Sequence, residues 1–348
     1  MRKLKINASQ FSLLITILLF IALFAAGSVK YPNFFSLQVF CNLLIDNSTL
    51  LVISVGMTFV LIIGGSGIDI SVGSVIALVC MASAWLCQNT GLDAFTIMGL
   101  MILLGAVFGF VQGIFITYLK MQPFIVTLAG LMLARGLTAL ISENTITISN
   151  KTYVTLAQAK IHILGTGAYI RSGVIIALVV LATAWFVLSY TRFGRNIYAI
   201  GGNEQSAILM GLPVNRTKVA VYTLSSMCAA LAGIVFSLYM LSGYVLHGQG
   251  MEMDAIASTV IGGTTLTGGV GGVVGAFFGV LINGTIKTII MFQGTLSSWW
   301  TRIVMAALLC IFIVIQRFLS MRSIEGVNSK KSNTGKLGKK TGSAAKQI

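Results

Sequence analysis

Ten apolar runs, each close to the length needed to cross a bilayer, leave this chain one class of fold. They fall at 11–27, 48–63, 71–89, 95–118, 122–141, 173–190, 219–241, 253–267, 271–291 and 300–317. About 20 apolar residues carry a helix across the hydrocarbon core. The helix is the natural solution there because its backbone polar groups pair internally. The segment 33–47 is apolar but short, and reads as interfacial or as an extension of the second span. The expectation is an all-α membrane protein of about ten transmembrane helices.

Composition agrees. The chain is 56% hydrophobic and 9% charged, with 8 acidic residues against 23 lysines and arginines. The excess of +15 points to cytoplasmic loops rather than to nucleic acid. With the N-terminus inside, sixteen of the 23 basic residues fall on the cytoplasmic side: Arg2, Lys3, Lys5, Lys120, Arg192, Arg195, Arg216, Lys218, Arg317 and the seven beyond it. Only Lys30, Lys151, Lys160 and Arg171 fall outside. Both termini are therefore expected in the cytoplasm of a multi-pass, inner-membrane-type protein. Met1–Lys5 and the run after it resemble a signal peptide, with small residues at Ala25–Ser28, but the run is long for a signal and reads as an uncleaved first span. Residues 1–321 form a single transmembrane domain. Residues 322–348, rich in Lys, Ser, Gly and Asn, are expected to be a disordered basic tail near the anionic inner leaflet.

No catalytic chemistry is visible. The five cysteines and two histidines make no CxxC pair or metal spacing, so no metal or cofactor is expected. No phosphate-binding loop occurs; ATP hydrolysis, if used, belongs to another chain. Ion coupling needs intramembrane charges, and few exist. Arg135 is the one charge well inside a span, and is expected to face the bundle. Lys287 and Arg302 lie near outer span ends, where they can snorkel.

Glycines organise the rest. Gly105, Gly109 and Gly113 in span four, and Gly271, Gly275 and Gly279 in span nine, recur every four residues on one helix face, which permits close helix packing. An offset of five spans makes the two series antiparallel, the mark of an inverted repeat. Gly64–Ser74 breaks the second and third runs. Within it Asp69 and Ser71 either cap the next helix or line a path. A second break, Ile261–Gly269, offers Thr264 and Thr267 either to its own freed backbone or to a polar path. Trp299 and Trp300 stand at an outer boundary, where they anchor the interface or stack on a solute. In the basic loop 191–218, Asn203 is an N-cap, Glu204 suits a first turn and Gly211 a stop. Between them a two-turn helix is expected to expose Ala207, Ile208 and Met210 to a partner's groove.

From about Asn42 to Arg317 these blocks resemble the permease subunits of bacterial ABC sugar importers, ribose/galactose-type branch. The residues that carry the likeness are Gly56–Phe59 with Gly67–Ser74, the loop Arg192–Gly211 with Glu204, Ala207 and Gly211 in the importer pattern, and Glu252–Ala257 with Ile261–Thr264. The stretch before Gly67 is about two residues longer than the family pattern, at a glycine-rich break. Gly294–Arg302 is similar to the galactofuranose importer permease. The resemblance implies a place in the bacterial inner membrane and a monosaccharide substrate, galactofuranose or a related hexose. It also implies a cytoplasmic ATP-binding subunit docked at Asn203, Glu204, Ala207, Ile208 and Gly211, a second permease subunit, and a periplasmic sugar-binding protein. A self-sufficient secondary transporter is the alternative, and the docking helix argues against it.

Overall fold

The computed structural model describes residues 8–314 except 66, 164, 166 and 295–298; the basic tail lies outside them. The chain folds into helices α1 (Ala8–Lys30), α2 (Leu37–Asp46), α3 (Ser48–Ile63), α4 (Val72–Asn89), α5 (Ala94–Thr117), α6 (Pro123–Ile141) and α7 (Lys151–Gln158). After them come α8 (Ser172–Tyr190), α9 (Arg192–Gly202), α10 (Glu204–Leu209), α11 (Val214–Met240), α12 (Met251–Ile261), α13 (Val273–Gln293) and α14 (Trp299–Val314). Two short antiparallel ribbons complete the described chain: β1 (Ile146–Thr147) with β4 (Ser242–Gly243), and β2 (Lys160–His162) with β3 (Tyr169–Arg171).

Among the described residues, seven helices are long and apolar enough to cross a membrane. The pair α2 and α3, bent by 57° at Asn47, is long and apolar enough when taken together to be an eighth candidate span. The segment 33–47 contains α2, which Ser36 caps by accepting from Val39 N, and which meets α3 at that bend.

Helix α3 is the centre of the bundle. All of its side chains are buried, as expected for a helix apolar all round, and it packs against α8, α11, α12 and α13. Its approach to α11 depends on Gly56, where a Cβ would stand 2.9 Å from Cys228 Cβ. The two glycine series have different partners. Gly105, Gly109 and Gly113 lie against Ser226, Tyr222 and Val219 of α11, whereas Gly275 and Gly279 lie against Gly262 and Ser258 at the end of α12, and Gly271 against Thr264.

The run 253–267 departs from the expected spanning helix. Helix α12 has 11 residues, about 16 Å of rise, too short to cross. The chain leaving α11 instead enters the bundle as irregular backbone. Leu241 adopts φ +51, Gly243 lies against Cys80 and Met81 of α4, and Gly248 lies against Gly73. From residue 81 to 73 is about 12 Å along α4, so α12 starts deep inside. Non-helical backbone is tolerated at that depth because protein surrounds it. The last run, 300–317, falls on α14 as far as the described residues reach, to Val314.

Candidate functional site

Asp69 sits where the chain re-enters the bundle. Gly64 and Gly65 take φ +72 and +63, and the chain folds back along α3, with Gly67 against Val60 O. Asp69 is 0% exposed. It accepts from Ser71 N at 3.1 Å, Ser71 Oγ at 2.6 Å and Ser225 Oγ at 2.7 Å. Ser225 lies eleven residues into α11, about 17 Å from its start. The capping reading needs adjustment: Asp69 reaches the amide of Ser71 but no amide inside α4, and Ser71 makes no side-chain cap. Its other bond is long-range, to α11. Helix α6 joins through Thr127 Oγ1, which donates to Pro123 O at 2.9 Å and lies 3.2 Å from Ile68 O, and α5 through Gln112, 3.4 Å from Ser71 Oγ.

The third sequence block meets the first here. Glu252, at the start of α12, lies over Gly73 in the first turn of α4, where a helix end favours negative charge. Its Oε1 accepts from Gly250 N at 3.2 Å, while Oε2 is buried without a partner. Arg135 of α6 faces inward, and its Nη1 donates to the carbonyls of Val245 and His247, the latter at 2.9 Å. An arginine facing lipid costs roughly 2.5–3.5 kcal/mol on insertion scales; here it satisfies carbonyls of the intruding segment. Neither Gln112, Ser225 nor the Arg135 carbonyls were visible in the sequence, because each contact joins separate helices.

The remaining path candidates lie at other levels. Thr264 is buried and its hydroxyl has no partner, whereas Thr267 is exposed. Trp299 and Trp300 are exposed beyond the far end of α13, about 30 Å from its start. The Arg302 guanidinium lies 4.9 Å from the Trp299 ring centre. Both residues, with Thr301, Asp254 and Lys287, line a cleft of about 620 Å³, in which Lys287 pairs with Asp254 at 3.3 Å. Lys287 is thus paired rather than simply extended to the interface. The six candidates therefore do not form one site.

The basic loop forms two helices rather than one. Thr191 caps α9 by accepting from Gly194 N, and Asn203 caps α10 by accepting from Ser206 N at 2.8 Å. Gly211 takes φ +74 and closes the turn. Ile208, Leu209 and Met210 are 56%, 88% and 67% exposed. Ala207 is a correction: it is buried, because the side of so short a helix that meets the bundle has room for a methyl group only, and Leu209 is exposed in its place. Glu204 pairs with Lys218 of α11 at 2.6 Å.

Helix α9 ties this loop to both glycine breaks. A Cβ on Gly201 would stand 1.8 Å from Ile62 O, and Gly268 and Gly269 lie against Gly64, Gly201 and Gly202. Gly269 N donates to Ile62 O at 2.8 Å, and Tyr198 OH to Gly271 O at 2.8 Å. Burial raises the Tyr198 phenol above its ordinary pKa, so it stays a donor.

A central buried helix, a helix α9 packed against both glycine breaks and an exposed apolar turn at α10 beside it mark this end of the bundle. The profile of the family described as branched-chain amino acid transport system / permease component matches residues 39–313. The chain belongs to this permease family. Among curated relatives, the permease is 47% identical over 309 residues to the inner membrane ABC transporter permease protein YjfF of Escherichia coli K12, covering 89% of this chain and 92% of that one. It is 38% identical to the fructose import permease protein FruG of Bifidobacterium longum, over 90% of this chain and 92% of FruG. It is 34% identical to the ribose import permease protein RbsC of Haemophilus influenzae, over 87% and 93%. No solved structure matches the permease.

Proposed function

We propose that the permease is the membrane-spanning subunit of an ATP-driven importer for a monosaccharide, galactofuranose or a related hexose. Relatives named for fructose, ribose and D-allose transport support a sugar as the solute. Helix α10 carries the mechanistic reading. It offers Ile208, Leu209 and Met210 to a cytoplasmic ATP-binding subunit, and α9 beside it touches the breaks at Gly64 and Gly268. Movement of the ATPase would reach the two interrupted crossings without passing through a flexible linker. A periplasmic sugar-binding protein supplies the solute at the Trp299 and Trp300 end, and a second permease subunit, itself or a sister chain, completes the path.

This reading counts ten passes: α1, α2 with α3, α4, α5, α6, α8, α11, residues 241–272, α13 and α14. Both termini then lie in the cytoplasm, and the five-pass offset sets α5 and α13 antiparallel as the halves of an inverted repeat. Asp69 and Ser71 belong to an inner gate, with Thr264 and Thr267 nearer the cytoplasm. The test is uptake of labelled galactofuranose, D-galactose, D-ribose, D-fructose and D-allose by a strain lacking only this chain. Loss of ATP-dependent uptake of one hexose, restored by the intact gene, is expected. Unchanged uptake of all five would overturn the reading.

A further inference from the structure

Between α5 and α6 runs a groove of about 1020 Å³, lined by apolar side chains including Val107, Phe108 and Leu133, with Gln112 and Gly130 between them. This is at the upper end of the roughly 300–1,000 Å³ of ligand pockets. Gln112 is 4% exposed and lies five residues from the end of α5, about 8 Å inside the bundle. Gly130 makes room for it: a Cβ there would stand 2.0 Å from the Gln112 amide nitrogen.

The amide is held at one end only. Ser71 Oγ has a single proton, and its 2.6 Å contact gives that proton to Asp69. One end of the Gln112 amide meets Ser71 at 3.4 Å; the end beside Gly130 is buried with no protein partner. Turning the amide over exchanges donor for acceptor without supplying a partner. At this depth an unpaired polar group is costly, and an acyl chain offers neither donor nor acceptor. A sugar hydroxyl offers both.

We propose that this groove is the inner stretch of the sugar path, and that Gln112 hydrogen-bonds the passing sugar through a hydroxyl. The inference rests on the proposed import function and names its path. Asp69 is then a positioning residue: it takes the Ser71 proton, so Ser71 Oγ is left as an acceptor. That acceptor holds the amide turned with its nitrogen towards Ser71 and its oxygen beside Gly130. An apolar wall with few polar contacts suits a site that must release its solute.

The experiment uses the full chain with its ATPase and binding-protein partners. Cysteines are placed at Val107 and Leu133 in the groove, and at Leu18 and Phe186 on exposed faces of α1 and α8, with Cys310→Ser throughout. Inverted vesicles are treated with a membrane-impermeant, charged methanethiosulfonate. Labelling at 107 and 133 at least about ten-fold faster than at 18 and 186, and slowed by the transported sugar, is expected. Labelling no faster than the controls overturns the proposal, whether lipid or a protein neighbour fills the groove.

In parallel, Gln112→Leu and Gln112→Asn are compared in uptake of D-galactose, D-ribose, D-fructose and D-allose. The Leu variant should raise KM about ten-fold, the worth of one hydrogen bond, and shift the preference among sugars, with partial recovery in the Asn variant. Membrane levels and melting temperature should stay near those of the unaltered chain. Equal KM and preference in all three proteins overturns the role of Gln112. If the unaltered importer takes up none of the sugars, the proposed function fails, while the comparison of labelling rates still decides whether the groove is a water-filled path.

Discussion

Glu252 Oε2 lies so close to Gly73 that a Cβ there would stand 2.1 Å from it. The two residues belong to sequence blocks 179 positions apart, and their contact seats α12 on the first turn of α4. Gly73→Ala should displace Glu252 and lower stability by about 1–3 kcal/mol, the usual cost of overpacking. Gly91→Ala, which meets nothing within 4 Å, is the control. Thermal unfolding in detergent measures both, and equal melting temperatures would refute the seat.

The glycine faces carry a similar prediction. A Cβ at Gly109 would stand 2.5 Å from Tyr222 O, and one at Gly275 1.9 Å from Gly262 O. Gly109→Leu and Gly275→Leu should each destabilise by at least about 1–3 kcal/mol, whereas Gly136→Leu, in open space, should not. Normal melting and transport in the first two would show that these contacts are not needed.

Asp69 accepts from two serines that lie on different parts of the bundle. Asn keeps one carbonyl acceptor and gains an amide that Ser225 can accept, so Asp69→Asn should cost about 1–2 kcal/mol and keep most transport. Asp69→Leu strands both hydroxyls and should lose it. The readout is uptake at matched membrane levels; abolition by Asn would place the charge itself in the mechanism.

Arg135 holds the intruding segment through the Val245 and His247 carbonyls. Arg135→Met leaves both without that donor, at about 1–3 kcal/mol for each group left unsatisfied. A cysteine at Leu246 should then react faster with a thiol reagent than in the unaltered background. Identical rates would mean that the segment is held by other contacts.

At the other end, Glu204→Lys would set two lysines together in place of the pair with Lys218. Gly211→Trp would force a bulky residue into a φ of +74, a conformation costly to side chains. Both variants should insert normally but fail to couple ATP hydrolysis to uptake. Full transport by both would remove the loop from the mechanism.

The amino-acid pattern was enough to reveal a polytopic helical membrane protein, its two glycine breaks and the ends of helix α10, and its motif blocks showed a likeness to importer permeases. Each of these is local. Apolar run length marks a crossing, Asn203 caps with its own side chain, and Gly211 tolerates a positive φ by itself. The pattern did not reveal that residues 241–250 enter as irregular backbone, because hydropathy treats lipid and protein interior alike: both exclude charge and accept Leu, Ile and Val. Nor did it show that α9 closes on both breaks, that Ala207 turns inward, or that Ser225 completes the bonds of Asp69 from 156 residues away. Those outcomes depend on which helix faces which. Packing decides that by matching glycine gaps to facing backbone, and by bringing to buried groups such as Asp69 and Arg135 partners that only the folded chain places near.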